Sequence, residues 1–368
     1  MSALRNLVDK IKPTFTKGGK LGFLESTFDA FETFLFVPNT TTSRGAHIRD
    51  CNDMKRTMIV VVVALMPALL FGMYNTGYQV GMTGWAAFWF GFLKVLPMIV
   101  VSYVVGLGIE FFFAQKRGHE VNEGFLVSGL LIPMIMPVGT PLWMIALGTA
   151  FAVIFGKEVF GGTGMNVFNP ALVARAFVFF AYTPFISGEK VWFADDAVSG
   201  ATALEQLATS GAMSYSTADA FLGFIPGCVG ETSTLAILIG AAILLFTGVA
   251  SWRTMSFVFI GGLAMGYFFQ ALGVTTYPAW EHLIVGGFAF GAVFMATDPV
   301  TSAQTDKGKY IVGLMTGALA VLIRVVNPAY PEGMMLSILF MNALAPLVDY
   351  YVVEANISRR KKRVKLAK

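Results

Sequence analysis

Asp196 and Ser199-Gly200-Ala201-Thr202 stand in a polar stretch of an otherwise apolar chain. A threonine hydroxyl behind a small, flexible tripeptide is a poor packing element and a suitable point for attaching a group. A second candidate is Gly161-Gly162-Thr163-Gly164-Met165-Asn166-Val167-Phe168-Asn169-Pro170. Its flexible backbone exposes N–H groups beside a helix start, a nest suited to an anion or a polar heterocycle. The carboxamides of Asn166 and Asn169 can both donate to and accept from a flavin or quinone edge. The same residues also read as a turn closed by a helix cap, with Pro170 at the first helical position. No G-K-[ST] follows the glycines, which excludes a nucleotide P-loop. A third set is ionisable residues inside apolar runs: Lys94, Glu110, Arg175, Arg324 and Asp349. Such residues are costly in a bilayer and are functional or paired there. Lys94 and Asp349 lie within reach of an interface. Arg175 and Arg324 either pair with a carboxylate or hold a phosphate, and Glu110 and Asp349 offer the oxygen ligands that hard cations prefer. His47, His119 and His282 are scattered, so no metal site is expected. Cys51 and Cys228 are too few and too far apart to carry an iron–sulfur cluster. Glu120, Asn122 and Glu123 read as helix-capping residues.

These groups must be positioned by membrane helices. The 368 residues are 56% hydrophobic and 13% charged, against about 25% charged in soluble domains. A spanning helix needs roughly 20 apolar residues, and ten segments qualify or nearly qualify: 57–74, 92–114, 124–138, 142–157, 170–184, 232–250, 254–272, 281–297, 310–326 and 333–352. The third is short and interrupted by Pro133 and Pro137, and 80–91 reads as an interfacial lead-in to the second. Lys116, Arg117, Lys157, Arg253, Lys307, Lys309 and the basic run from Arg359 to Lys368 all follow even-numbered segments, whereas the opposite loops hold one basic residue, Lys190. The positive-inside rule then places both termini in the cytoplasm and Thr202 on the periplasmic side of a bacterial inner membrane. The N-terminus lacks the apolar core of a signal peptide.

Asn169-Pro170-Ala171 recurs as Asn327-Pro328-Ala329, five segments later. An odd-numbered unit repeated in tandem gives inverted repeats with binding sites near the midplane. The expected fold is all-α and polytopic, with ten helices in two inverted five-helix repeats. Its regions are a cytoplasmic arm (1–56), the first repeat (57–184), a periplasmic loop (185–231), the second repeat (232–352) and a basic cytoplasmic tail (353–368). The arm is basic, and Phe28, Phe31, Phe34, Leu35 and Phe36 suggest a short amphipathic helix on the membrane or on a partner. The basic tail reads as an anchor at the lipid surface, not a nucleic-acid site.

Taken in order, His47-Ile-Arg49-Asp50, Gly72-Met-Tyr-Asn75, His119-Glu-Val-Asn-Glu-Gly124, Lys157-Glu-Val-Phe-Gly-Gly-Thr-Gly164, Ser199-Gly-Ala-Thr202, Met295-Ala-Thr-Asp-Pro299 and Arg324-Val-Val-Asn-Pro-Ala-Tyr-Pro-Glu-Gly-Met334 make a chain that resembles the B subunits of sodium-translocating NADH:quinone oxidoreductases. The related D subunits of Rnf complexes share the attachment motif. The resemblance implies FMN joined by a phosphoester to Thr202 within Asp196-Ala-Val-Ser199-Gly200-Ala201-Thr202, the transfer being made by a separate flavin transferase. It implies a non-covalent riboflavin beside Asn166 and Asn169, and ubiquinone reduction near the N-terminal arm around Gly106, Glu110 and Phe125. Glu110 and Asp349 match acidic positions linked to sodium uptake. Electrons from NADH on another subunit would pass from FMN through riboflavin to ubiquinone, coupled to sodium export. This chain has Ala197 where family members often have glycine, and Gly106-Leu107 where some have two glycines. The alternatives are an Rnf-type electron carrier without quinone reduction and a non-redox channel or transporter on the same scaffold.

Overall fold

A computed structural model describes all residues except 1, 17–18, 20, 23–24, 37–41, 49–53, 118–123, 187–201, 328–332 and 367–368. The described residues form helices and loops without strands. Two helices, α1 (Ser2–Phe15) and α2 (Glu25–Leu35), precede the apolar region. The first apolar half comprises α3 (Met54–Gln79), α4 (Gly84–Arg117), α5 (Phe125–Met134), α6 (Leu142–Gly156) and α7 (Pro170–Ala181). Three short helices follow: α8 (Thr183–Ile186), α9 (Ala203–Ser210) and α10 (Thr217–Leu222). The second apolar half comprises α11 (Thr234–Phe246), α12 (Trp252–Ala271), α13 (Glu281–Ile284), α14 (Phe288–Phe290) with a π-helical turn at Gly291–Met295, α15 (Asp306–Val326) and α16 (Gly333–Leu366).

Among the described residues, six helices are long and apolar enough to cross a bilayer; α5, α7 and α11 are shorter apolar helices. The two halves share part of a pairing scheme, although α3 packs on α4 and α11 has no such seat on α12. In the first, α4 packs on α5 and α6, α6 on α7, and α5 on α7. In the second, α12 packs on α13 and α15, α15 on α16, and the π turn on α16. The halves meet where α3 contacts α11 and α7 contacts α16. Small residues make these contacts close. A Cβ on Gly261 would sit 2.1 Å from Leu314 O, and one on Gly317 would sit 1.9 Å from Val258 O, so α12 and α15 touch backbone to backbone. Close packing through small residues is the main source of helix association in lipid, where burial from water no longer drives it.

The third segment of each half is broken. In the first, Pro133 and Pro137 end α5, and the freed carbonyls are satisfied from far along the chain. Gly230 N–H donates to Met134 O at 2.7 Å and Val229 N–H to Met136 O at 3.5 Å. Irregular backbone is tolerated at membrane depth only when protein satisfies it in this way. The continuous span expected over 281–297 is instead three short helical pieces, with Gly286 at φ 68° between the first two.

Other boundaries also differ from the expected ones. The stretch 84–91 is the first part of α4, not a separate lead-in. Gly91, where that lead-in was expected to end, is required within the helix: its Cβ would fall 1.8 Å from Met73 O on α3. Likewise α16 continues past 352 to Leu366 and carries Arg359, Arg360 and Lys361 as an exposed helical extension. The aromatic cluster of the N-terminal arm does form a helix, α2, which packs on the end of α4 through Phe31 against Phe111 and Gln115 Nε2 donating to Thr27 Oγ1 at 2.7 Å. In turn α1 docks on α2, with Arg5 and Lys12 both reaching the buried Glu32.

Candidate functional site

Thr202 is the N-cap of α9. Its φ of −63° and ψ of 157° turn the chain into the helix, and its Oγ1 accepts the Glu205 N–H at 3.2 Å. Thr202-Ala-Leu-Glu205 is a capping-box sequence, a structural signal that the attachment reading passed over. The helix is seated by Ala203, Leu204 and Leu207, buried with Ala220, Ile225 and Val285. Leu204 packs onto Gly286, the bend between α13 and α14. Thr202 is half-buried, and its hydroxyl sits at the N-terminus of the helix. Asp196, Ser199, Gly200 and Ala201 lie outside the described residues, as do Lys190 and Cys51.

Asn166 and Asn169 come together in a cavity of about 110 Å³. The loop before them turns through Gly161, Gly162 and Gly164 at φ 121°, 102° and 86°, conformations open to glycine at little cost. The capping role expected of this loop is seen directly. Asn169 Oδ1 caps α7, accepting from Ala171 N and Leu172 N at 3.0 and 3.4 Å. Its Nδ2 donates to Asp298 Oδ2 at 3.2 Å. One N–H of Asn169 is therefore left for a ligand, whereas its acceptor is already used. Asn166 Nδ2 donates to Phe168 O at 3.0 Å, which leaves its Oδ1 and its second N–H.

Two further lining residues were not singled out from sequence as site residues. Asp298 is a half-buried carboxylate just after the broken eighth segment, held by Asn169, by Val300 N–H at 3.0 Å and by Thr301 Oγ1 at 3.2 Å. Lys157, read from sequence only as a marker of the basic side, is buried and its Nζ donates to Glu110 Oε1. Its neighbour Glu158 takes Arg117 Nη1 at 2.9 Å, and Glu158 O takes Arg117 Nη2 at 2.7 Å. The end of α4 thus clamps the glycine loop through two ion pairs. Thr57, Ser128 and Thr163 add hydroxyls to the lining, and Met58, Leu244 and Phe294 are among its apolar members.

Gly106 and Phe125 are in direct contact. A Cβ on Gly106 would fall 1.9 Å from Phe125 Cζ, and the Phe125 ring is fully buried with Tyr103 edge-on at 6.2 Å. Gly106 leaves room for that ring. Glu110 lies one helical turn further along α4. Because Glu110 holds Lys157, and Gly124 lines the cavity beside Phe125, the two candidate regions adjoin.

Asp349 is apart from this cluster. It ties α16 to the start of α15, accepting from Gln304 N at 2.6 Å, Thr305 N at 3.0 Å and Thr305 Oγ1 at 2.5 Å. Arg175 Nη1 donates to the buried Cys228 Sγ at 3.0 Å, and Arg324 Nη1 donates to His282 O at 2.6 Å. Both arginines line a smaller cavity with Glu231. Lys94 is exposed, with its ammonium over the Phe90 ring. His119, Glu120, Asn122 and Glu123 lie outside the described residues.

Comparison with known proteins extends the picture. Residues 41–358 match the NQR2, RnfD, RnfE family. The chain is 48% identical to the B subunit of the Na(+)-translocating NADH-quinone reductase of Chromohalobacter salexigens, over 98% of this chain and 96% of that one. It is 46% identical to the protein of the same name in Pseudomonas aeruginosa, over 97% and 98%. It is also 46% identical to that of Klebsiella pneumoniae, over 98% and 99%.

Proposed function

Since this chain belongs to the NQR2, RnfD, RnfE family, we propose that it is the B subunit of a sodium-translocating NADH-quinone reductase, working with the other subunits of that complex. It carries FMN as a phosphoester on Thr202 and a non-covalent riboflavin in the cavity at Asn166 and Asn169. Electrons pass from the first flavin to the second and on to ubiquinone near Gly106 and Phe125, coupled to sodium export. The observation that carries the reading is near-half identity to such B subunits over almost the whole length of both chains. That match also favours the quinone reductase over an Rnf-type complex.

The residues present suit these groups. A phosphate on Thr202 Oγ1 lies at the N-terminus of α9, where the helix dipole favours negative charge. Asp196, Ser199, Gly200 and Ala201 complete the sequence that the flavin transferase reads. The cavity offers one N–H of Asn169, Oδ1 and one N–H of Asn166, and the Lys157 ammonium. This donor and acceptor mixture matches the imide edge of a flavin. Its free volume of about 110 Å³ is below the roughly 300–1,000 Å³ of pockets that bury drug-sized ligands, so binding requires lining side chains to move aside. When bound, the flavins supply the redox chemistry, while the chain holds them, excludes water and sets their electrostatics.

The part of the pairing scheme that the two halves share is what two inverted five-helix repeats would produce. The basic loops put both termini in the cytoplasm and Thr202 in the periplasm. The attached flavin then lies on one side and the quinone region on the other, with the riboflavin cavity between them. Glu110 and Asp349 are the sodium candidates. Each already has partners, so a sodium ion must displace Lys157 from the first or the 304–305 backbone from the second. The test is sodium-stimulated ubiquinone reduction by the assembled complex containing this chain. Sodium-independent turnover, or none with ubiquinone, sinks the reading.

A further inference from the structure

We infer that Lys157 is the residue that recognises the electron-rich edge of the heterocycle in the Asn166–Asn169 cavity and favours its reduced form, with Glu110 as its positioning residue. The inference rests on the reading of that cavity as the non-covalent flavin site. Lys157 is the one cationic side chain among the described lining residues. It follows Gly156 at the end of α6, where φ of −131° and ψ of −61° break the helix. The break turns the side chain inward, where it is only 4% exposed. A lysine has four flexible carbons, and nothing in α6 itself fixes its ammonium. Glu110 does so from α4: it is equally buried and accepts directly from Nζ.

Among the described residues, the carboxylates beside that ammonium have partners of their own. Glu158 is engaged by Arg117. Asp298, the acidic lining residue, is held by Asn169, Val300 and Thr301. Lys157 has two N–H donors beyond the one given to Glu110, and it forms part of the cavity wall. Uptake of two electrons and one proton leaves a flavin ring with one net negative charge, concentrated on its pyrimidine side. A buried ammonium there binds the reduced ring more tightly than the oxidised one. A ligand with differential affinity for two states shifts their equilibrium by that difference, here read as a potential.

The experiment uses the assembled complex purified from cells supplying flavin. It measures non-covalent flavin released on denaturation and the midpoint potential of that flavin, with the covalent flavin as an internal control for folding. Lys157→Gln is expected to lower the preference for the reduced ring at least tenfold, about 30 mV more negative for a two-electron couple. Lys157→Arg, which keeps the charge, is expected to restore most of the wild-type potential. Loss of non-covalent flavin in Lys157→Gln but not in Lys157→Arg, with covalent flavin intact, also supports the assignment. If Lys157→Gln does not assemble, the double variant Lys157→Gln/Glu110→Gln keeps a neutral hydrogen-bonded pair in place and is expected to shift in the same negative direction, by less than the single variant because the Glu110 charge leaves together with that of the lysine. An unchanged potential in either glutamine variant overturns the inference. So does loss of the flavin from the arginine and glutamine variants alike. Absence of non-covalent flavin from the wild-type complex overturns the reading of the cavity itself.

Discussion

The Lys157–Glu110 pair makes a quantitative claim about stability. Both side chains are 4% exposed and in direct contact. Removing one partner of such a pair leaves a buried charge without compensation, at a cost of about 3–5 kcal/mol. Replacing both by uncharged groups of similar volume is near neutral. Lys157→Met and Glu110→Leu should therefore each be strongly destabilising, whereas Lys157→Met/Glu110→Leu should return close to wild type. For a chain of this size, 1 kcal/mol corresponds to a melting shift at the lower end of the roughly 2–4 °C seen for mid-sized domains. The single variants should then melt about 6–10 °C lower on that scale, and the double variant should recover most of the loss. The assay is thermal inactivation of the detergent-purified complex, followed by loss of covalently bound flavin fluorescence from the soluble fraction. Singles that melt with wild type would show that the pair is solvated. A double variant as damaged as the sum of the singles would show that the two side chains contribute independently. Either result refutes the reasoning.

Other expectations concern single contacts. Gly106→Ala places a methyl group where the Phe125 ring stands; the overpacking should cost about 1–3 kcal/mol, read in the same thermal assay, and should raise KM for ubiquinone more than it lowers kcat. Asn169→Asp keeps the acceptor that caps α7 but sets a carboxylate against Asp298. Non-covalent flavin should fall in this variant, measured by extraction. Asn169→Ala should also lose the cap, worth about 0.5–2 kcal/mol. Asp349→Ala removes the acceptor for Gln304 N, Thr305 N and Thr305 Oγ1. Its cost should be at least the roughly 1.5–3 kcal/mol of one hydrogen bond to a charged group, seen as faster proteolysis between α14 and α15.

Apolar length alone made the long helices legible, because a spanning segment announces itself locally. The broken segments were harder. The end of α5 is completed by Val229 and Gly230, about a hundred residues away in the chain, and no local pattern shows that partnership. The lead-in expected over 80–91 failed in the opposite way: 84–91 belongs to α4, and Gly91 is a point of close approach to α3 within that helix. At the site, Asn166 and Asn169 were visible because they share one loop. Asp298 was not, since the cavity brings it from a distant segment, and Lys157, though it begins the same connection, read as a marker of the basic side. A signal was present in each case: a carboxylate just after an apolar run in Met295-Ala-Thr-Asp298-Pro299, and a Lys-Glu step at the end of a hydrophobic helix. Thr202 was found as a hydroxyl in a flexible setting, yet the structure makes it a helix cap. That role sharpens its candidacy, because it gives the hydroxyl a fixed place beside backbone donors.

The central claim is that Thr202 carries flavin, and one measurement meets it directly. The complex is expressed with its flavin transferase, denatured and run on a gel, and flavin fluorescence is read at the band of this chain for wild type, Thr202→Ser and Thr202→Val. Wild type should fluoresce and Thr202→Val should be dark, with Thr202→Ser retaining fluorescence because it keeps the hydroxyl and the cap. A dark wild-type band, or a Thr202→Val band as bright as wild type, contradicts the account.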